Sequence, residues 1–284
     1  LRPPGGRHRP VSTDTDAPNL PDPYYSDEFV TLHRGEALDV MMAMPSESVD
    51  IVVTSPPYNM GLTPGGNGRG MYGHTTSKGS RFTNDGYSEP GDDAMCPEEY
   101  AALRTAELCE MWRIARSSVW WNHRPRIIHG VVVDPLDELR RYGHDLPPVR
   151  QRITLARPTG IDVGLGHFCT RGEYLYLFAK PGFALASHSV SGWGDVWPAP
   201  TVTGSDHPAP FDQSIPDRCI AAVRAASVLD PFVGSGTTLA AAKVACITGI
   251  GVERSEEFCR MAAARVGSLA HSVVGDGSLF GASA

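Results

Sequence analysis

Apolar residues along the chain fall into two spacings. Phe29 to Leu32, Val49 to Thr54, Val119 to Trp121, Tyr174 to Ala179, Val228 to Leu229 and Ile247 to Val252 are short apolar runs of strand length. Between them lie stretches with apolar positions three and four apart. These predict helices from Glu36 to Met44, Pro135 to Tyr142, Ser214 to Ala226, Thr237 to Val244 and Ser255 to Val266. Pro97-Glu98-Glu99 opens another, with Pro and acids in the first turn and apolar Tyr100, Leu103, Leu108, Met111, Trp112 and Ala115 following. Strands alternating with helices predict an α/β fold around an open sheet. Residues 1–23 are rich in Pro, Gly, Thr and Asp without periodicity and predict a disordered leader. From Phe183 to Asp212, Gly, Ser, Pro and Trp predict irregular connections.

A chain of 284 residues, 41% hydrophobic and 20% charged, can bury the core of one large domain, here residues 24–284. No apolar run approaches the ~18 residues of a membrane span, and the first residues lack the apolar core of a signal peptide, which predicts no membrane partner and a cytoplasmic location. The six cysteines are scattered without metal-ligand spacing, so reduced thiols and no metal are expected. A net charge of -7 is unusual for a partner of nucleic acid, but its distribution changes the picture. Between Arg113 and Arg157 stand nine arginines against Asp134, Asp137, Glu138 and Asp145, a local net charge of +5. This stretch is either a phosphate-facing surface or a solvated face paired with acids elsewhere.

Val228 to Thr238 reads as strand, glycine turn and helix start. Gly234 and Gly236 allow close backbone approach to a ligand, and the helix start offers unpaired N–H groups. A P-loop would need Gly-Lys-Ser/Thr, but Gly236 is followed by Thr237, and a dinucleotide fingerprint would need a third spaced glycine. Glu253 ends the next strand, where an acid accepts ribose hydroxyls, so the pair of features indicates a nucleoside-containing ligand.

A second site is predicted at Thr54-Ser55-Pro56-Pro57-Tyr58, where a buried strand ends. Prolines fix φ and remove N–H donors, leaving rigid acceptors. The amino group of a nucleobase is a weak nucleophile because its lone pair is delocalised into the ring. Accepting its N–H bonds with Ser55 Oγ and the Pro56 carbonyl would localise that pair, with Tyr58 stacking on an extruded base. The alternative is a rigid turn whose Tyr caps the core. The Gly-rich segment 61–91 that follows is either a mobile substrate-ordering loop or a surface insertion.

Together these segments resemble the amino-group DNA methyltransferases of the circularly permuted β class, in which the catalytic motif precedes the cofactor motif. Ser55-Pro56-Pro57-Tyr58 matches the former and Phe232-Val233-Gly234-Ser235-Gly236-Thr237 the latter. His207-Pro208-Ala209-Pro210-Phe211 resembles the segment preceding the cofactor loop, and Asp195-Val196-Trp197 and Glu173 to Phe178 resemble further family segments. The resemblance covers roughly residues 28 to 268. It implies a Rossmann-like, circularly permuted α/β sheet with a small target-recognition region at about 124–194. It also implies S-adenosylmethionine held by Glu36, His207, Asp230, Phe232, Gly234, Gly236, Thr237, Thr238 and Glu253, with Glu36 standing where the family usually has Asp. Double-stranded DNA is the implied partner, with Arg124, Arg126, Arg150, Arg152 and Arg157 as contacts, and a cognate restriction endonuclease and a monomer or homodimer are the expected context. The serine motif is associated mainly with N4-cytosine and the aspartate motif with N6-adenine, so Ser55 indicates cytosine first and adenine as the alternative. No Pro-Cys dipeptide is present for the thiolate attack of C5 methylation. An RNA or protein methyltransferase and a catalytically inactive DNA-binding protein are the remaining alternatives.

Overall fold

The computed structural model describes residues 20–59, 95–128, 131–142, 145–158, 168–200 and 212–269. The strands are β1 (Pro23–Ser26), β2 (Val30–Arg34), β3 (Val49–Thr54), β4 (Ala115–His123), β5 (Arg126–Ile128), β6 (Val131–Val133), β7 (Val149–Ala156), β8 (Gly172–Ala179), β9 (Val196–Pro198), β10 (Ser227–Asp230) and β11 (Thr248–Glu253). The helices are α1 (Ala37–Ala43), α2 (Pro97–Ile114), α3 (Pro135–Arg141), α4 (His188–Ser191), α5 (Ser214–Val223), α6 (Thr237–Val244) and α7 (Glu256–Ser268). Nine strands form one sheet in the order β1-β2-β11-β10-β3-β4-β8-β7-β9, and β5 and β6 form a separate hairpin. Strands β2, β11, β10, β3 and β4 run parallel, while β8 is antiparallel to both β4 and β7.

Local chemistry sets the helix starts. Pro97 opens α2, Cys96 Sγ accepts the Glu99 N–H, and acidic Glu98 and Glu99 face the positive end of the helix dipole. Asp134 caps α3 at the Leu136 N–H and Ser255 caps α7 at the Phe258 N–H. Helices α1, α2 and α3 cover one face of the sheet and α5, α6 and α7 the other, which is why the parallel strands read as unbroken apolar runs. Close cover by α6 depends on glycine in β11: a Cβ on Gly249 would lie 2.8 Å from Ala242 Cβ, and one on Gly251 2.8 Å from Leu239 Cδ1.

The sheet has one topological switch point. From β3 the chain crosses to β4 on one side, whereas from β10 it crosses to β11 on the other. The adjacent carboxyl ends of β3 and β10 therefore bound a crevice that no crossover covers, the place where open α/β sheets bind ligands. At the opposite ends of these strands Asp50 Oδ2 accepts the N–H groups of Ala226 (2.7 Å) and Ser227 (3.1 Å), fixing one strand against the other.

Several expectations need correction. Ordered structure begins inside the stretch read as a leader, because β1 starts at Pro23 and the Pro21 carbonyl meets His33 Nδ1 at 2.8 Å; residues 1–19 lie outside the described residues. The region expected to be irregular contains α4 and β9. Trp197 of β9 is buried and stacks on Trp120 at 6.1 Å, worth roughly 1 kcal/mol beyond burial alone. The basic stretch contains β7, whose Ile153 and Leu155 face the core while Arg150 and Arg152 face solvent. The loop expected at 61–91 lies outside the described residues.

Candidate active site

Ser55 to Asn59 leave the end of β3, and Pro231 to Gly236 leave the end of β10. A buried hydrogen bond ties the two strand ends together, Thr54 Oγ1 donating to Asp230 Oδ1 at 2.7 Å. The two sequence motifs, some 175 residues apart, thus form opposite walls of the switch-point crevice.

On the β10 side the turn is held by glycines with positive φ, 51° at Gly234 and 85° at Gly236, which side chains other than glycine rarely tolerate. A Cβ on Gly236 would also lie 3.0 Å from Ala262 Cα, so glycine is required by α7 as well as by the turn. Gly236 caps α6 without a side-chain hydrogen bond, so the first-turn N–H groups are left for other partners. Thr237 and Thr238 occupy that turn and are both buried, with Thr237 Oγ1 accepting from Arg265 Nη1 at 3.0 Å. Burial pushes the Asp230 carboxyl above the usual carboxylate range, against the pull of Thr54, Thr238 and the Phe232 N–H. Burial likewise pushes Glu253 up, opposed by the N–H groups of Ser255 and Gly234, each 2.9 Å from a carboxylate oxygen. A buried carboxylate and a half-buried one beside a glycine turn form an acceptor-rich edge that suits a ligand bringing hydroxyl donors and positive charge. Phe232 packs under the guanidinium of buried Arg104 at 5.1 Å. Glu36 lies at the same sheet edge, 63% exposed, with Arg254 3.9 Å away. His207 lies outside the described residues.

On the β3 side, Ser55 Oγ is 2.7 Å from Tyr58 Oη and 3.1 Å from Asn122 Oδ1, and Tyr58 Oη donates to Asn122 Oδ1 at 2.6 Å. Asn122 Nδ2 donates in turn to the Tyr174 carbonyl at 3.1 Å. The Tyr58 ring packs against His123 with centroids 4.5 Å apart. His123 bridges the Arg124 carbonyl through Nδ1 (2.8 Å) and Tyr100 Oη through Nε2 (2.6 Å), and Tyr100 Oη also meets the Pro57 carbonyl at 3.1 Å. Burial lowers the His123 pKa to about 3, so the imidazole is neutral, Nδ1–H donates and Nε2 accepts. Pro56 is buried. Asn59 ends it in the left-handed region (φ 54°), where Asn is better tolerated than most residues, and exchanges two hydrogen bonds with the Met95 backbone.

Asn122, His123, Tyr174 and Tyr100 were not singled out from sequence. The available signal was polar Asn122-His123 directly after apolar Val119-Trp120-Trp121, at the carboxyl end of a strand parallel to β3. Tyr100 carried no such signal, because it also fits the apolar face of α2.

The five arginines separate by burial. Arg126 is buried, ion-paired with Glu138 and bonded to the Asn59 carbonyl at 2.7 Å; it supports the loop after β3 from inside and cannot face phosphate. Arg124 is only 9% exposed, which removes it from an outer surface as well. Arg157 pairs with Glu173 at 2.8 Å. Arg150 lies over Phe183, and Arg152 stacks on Tyr174 at 4.3 Å with its side chain 53% exposed. Much of the basic stretch is therefore internally paired, Arg113 with Glu110 and Arg116 with Asp50 included.

The sequence model of a DNA methylase family covering N6 and N4 enzymes matches residues 49–264. The type II methyltransferase M.ScaI of Streptomyces caespitosus is 26% identical over 89% of this chain and 86% of its own length. M.BglII of Bacillus subtilis, also a type II methyltransferase, is 24% identical over 87% of this chain and 72% of its own. Among solved structures, the cytosine-N4-specific PvuII DNA methyltransferase superposes with a TM-score of 0.67 at 15% identity, covering 89% of this chain and 91% of that one. A DNA modification methylase from Thermus thermophilus, solved in complex with S-adenosyl-L-methionine and described as putative, gives 0.55 at 21% identity, covering 83% of this chain and 92% of that one.

Proposed function

Because the chain belongs to this DNA methylase family, and is thereby an S-adenosylmethionine-dependent DNA methyltransferase, we propose that its target is the N4 amino group of cytosine. The observation that carries the choice of base is Ser55 at the head of the catalytic loop, where an aspartate would have favoured adenine. Asp230, Gly234, Gly236, Thr237, Thr238, Phe232, Glu253 and Glu36 line or adjoin the β10 wall and are the residues proposed to hold the cofactor. When bound, the cofactor supplies an electrophilic methyl group on a sulfonium. Glu253 fits the ribose hydroxyls, and the buried carboxylate of Asp230 favours positive charge nearby.

Across the crevice, Ser55 Oγ and the Pro56 carbonyl accept the two N–H bonds of the amino group and turn its lone pair towards the methyl carbon. With the cofactor held on the opposite wall, its methyl group would pass to this nitrogen with the sulfonium sulfur as leaving group, while Ser55 Oγ and the Pro56 carbonyl would hold the N–H bonds until one proton is lost to water. Tyr58, anchored by His123 and Asn122, gives the extruded base an aromatic support worth roughly 1–3 kcal/mol, which offsets the cost of leaving the stack. Arg150 and Arg152 on the outward side of β7 are the proposed phosphate contacts. A cognate restriction endonuclease is part of the same reading, since M.ScaI and M.BglII are type II methyltransferases.

The test is to incubate unmethylated genomic DNA with the protein and S-adenosylmethionine, digest it to nucleosides and identify the product by mass spectrometry. N4-methylcytosine is expected. N6-methyladenine would transfer the reading to adenine, for which the same crevice would serve.

A further inference from the structure

We infer that Asn122 is a positioning residue whose amide, locked by the Tyr174 carbonyl, sets the hydroxyl hydrogen of Ser55 inward and so keeps the serine lone pairs for the substrate amino group. The inference rests on the amino-group methylation proposed above and deepens it. It follows from counting protons. Three oxygens, Ser55 Oγ, Tyr58 Oη and Asn122 Oδ1, lie within 2.6 to 3.1 Å of one another, and only two hydrogens are available to separate them.

The 2.6 Å contact between Tyr58 and Asn122 needs a hydrogen, because two bare oxygens at that distance repel. The amide oxygen has none to give, so Tyr58 donates. The Ser55 hydrogen then points to Tyr58 Oη at 2.7 Å or shares itself with Asn122 Oδ1 at 3.1 Å. In either arrangement Ser55 donates into the protein and accepts from none of the described residues. This outcome depends on which way the amide faces. Reversed, Nδ2 would occupy a Ser55 lone pair and Oδ1 would meet the Tyr174 carbonyl, oxygen against oxygen. Asn122 Nδ2 at 3.1 Å from that carbonyl prevents the reversal, and with only 1% exposure the side chain has no solvent alternative. Asparagine suits the position because one end must donate and the other accept, at every pH.

The test is Asn122→Asp. A neutral carboxylic acid can reproduce the asparagine pattern, its O–H donating to Tyr174 and its other oxygen accepting from Tyr58. An ionised one places negative charge against that carbonyl. The variant's kcat should therefore rise as pH falls, and at about pH 8 lie on the order of 100-fold below wild type, with the KM for DNA and the Kd for S-adenosylmethionine changed less than about threefold. The titratable and charged groups around the position are Tyr58, Tyr100, His123, Tyr174 and Arg152, and a wild-type profile recorded in parallel subtracts their contribution. If Asn122→Asp fails to fold, Asn122→Ser supplies the readout, with kcat falling while cofactor and DNA affinity hold. A variant profile that matches wild type, or an Asn122→Asp enzyme that gains activity with rising pH as a general base would, overturns the inference. Wild-type protein that binds S-adenosylmethionine but methylates no base amino group overturns the parent reading instead.

Discussion

Replacing Thr54 by Val isolates the bond that joins the two halves of the site. Thr54 is fully buried and Asp230 only 4% exposed, so neither side chain can exchange its partner for water. Valine has nearly the same shape, which leaves no cavity and confines the loss to the 2.7 Å hydrogen bond to Asp230 Oδ1. A hydrogen bond to a charged acceptor contributes about 1.5–3 kcal/mol, and not having to desolvate the hydroxyl returns part of it, so a net loss of about 2 kcal/mol is expected where the carboxyl is ionised. The loss should depend on pH in a defined direction. Burial already raises the folded-state pKa of Asp230 above its unfolded value, so this carboxyl favours the fold at low pH, and that contribution disappears as pH rises through the folded pKa. Thr54 limits the penalty by stabilising the ionised form. Without it the folded pKa rises further, so the gap between wild type and variant is widest where the carboxyl is ionised and shrinks by roughly 1 kcal/mol as pH falls and the carboxyl takes up its proton. Urea unfolding followed by tryptophan fluorescence, with Trp120 and Trp121 buried in the core, measures both curves. A deficit below about 0.5 kcal/mol, or one that does not change with pH, would refute the role given to this bond.

Arg126→Met leaves Glu138 buried without its partner and should cost about 3–5 kcal/mol of stability, while the salt dependence of DNA binding by the folded fraction stays as in wild type. Arg152→Ala should do the reverse, leaving the unfolding free energy in urea within about 0.5 kcal/mol of wild type and lowering the salt slope of DNA affinity by about one counterion in a titration series. Asp217, in the first turn of α5, has its pKa raised to about 6 by burial and by Asp212. Its carboxyl therefore favours the fold below about pH 4 and loses that contribution as pH rises through about 6. Discounted for partial exposure, Asp217→Asn should stabilise the protein by about 1 kcal/mol at neutral pH and by nothing near pH 4. Denaturation at both pH values decides it, since an equal effect at each would contradict burial as the cause.

The parallel strands were legible because each is buried on both faces and so reads as an unbroken apolar run; the predicted limits of β3, Val49–Thr54, agree with the structure. The predicted α6, Thr237–Val244, does too, since the glycine turn marks its start. Short edge strands such as β1 and β9 escaped because most of their residues face solvent and pairing alone makes them strands. Strand β4 runs four residues further back than its apolar signal because Ala115 both caps α2 and begins the strand, leaving no turn to mark the boundary. At the site, Ser55 and Gly236 were visible through local backbone chemistry. Asn122 and His123 act by meeting the end of β3 across the sheet, and their one local signal, two polar residues closing an apolar run, does not say which strand they meet. Arg124 and Arg126 misled for the same reason, since charge spacing does not reveal that Arg126 turns inward to Glu138.

If the β3 loop performs methyl transfer and the β10 turn holds the donor, a change in the loop separates the two functions. Nucleoside analysis of DNA treated with wild type and with Ser55→Ala, alongside calorimetric S-adenosylmethionine affinities for both, tests it directly. Wild type should yield N4-methylcytosine and the variant at least about 100-fold less, with cofactor affinity unchanged within about threefold. Equal methylation by both proteins, or loss of cofactor binding in step with activity, would contradict it.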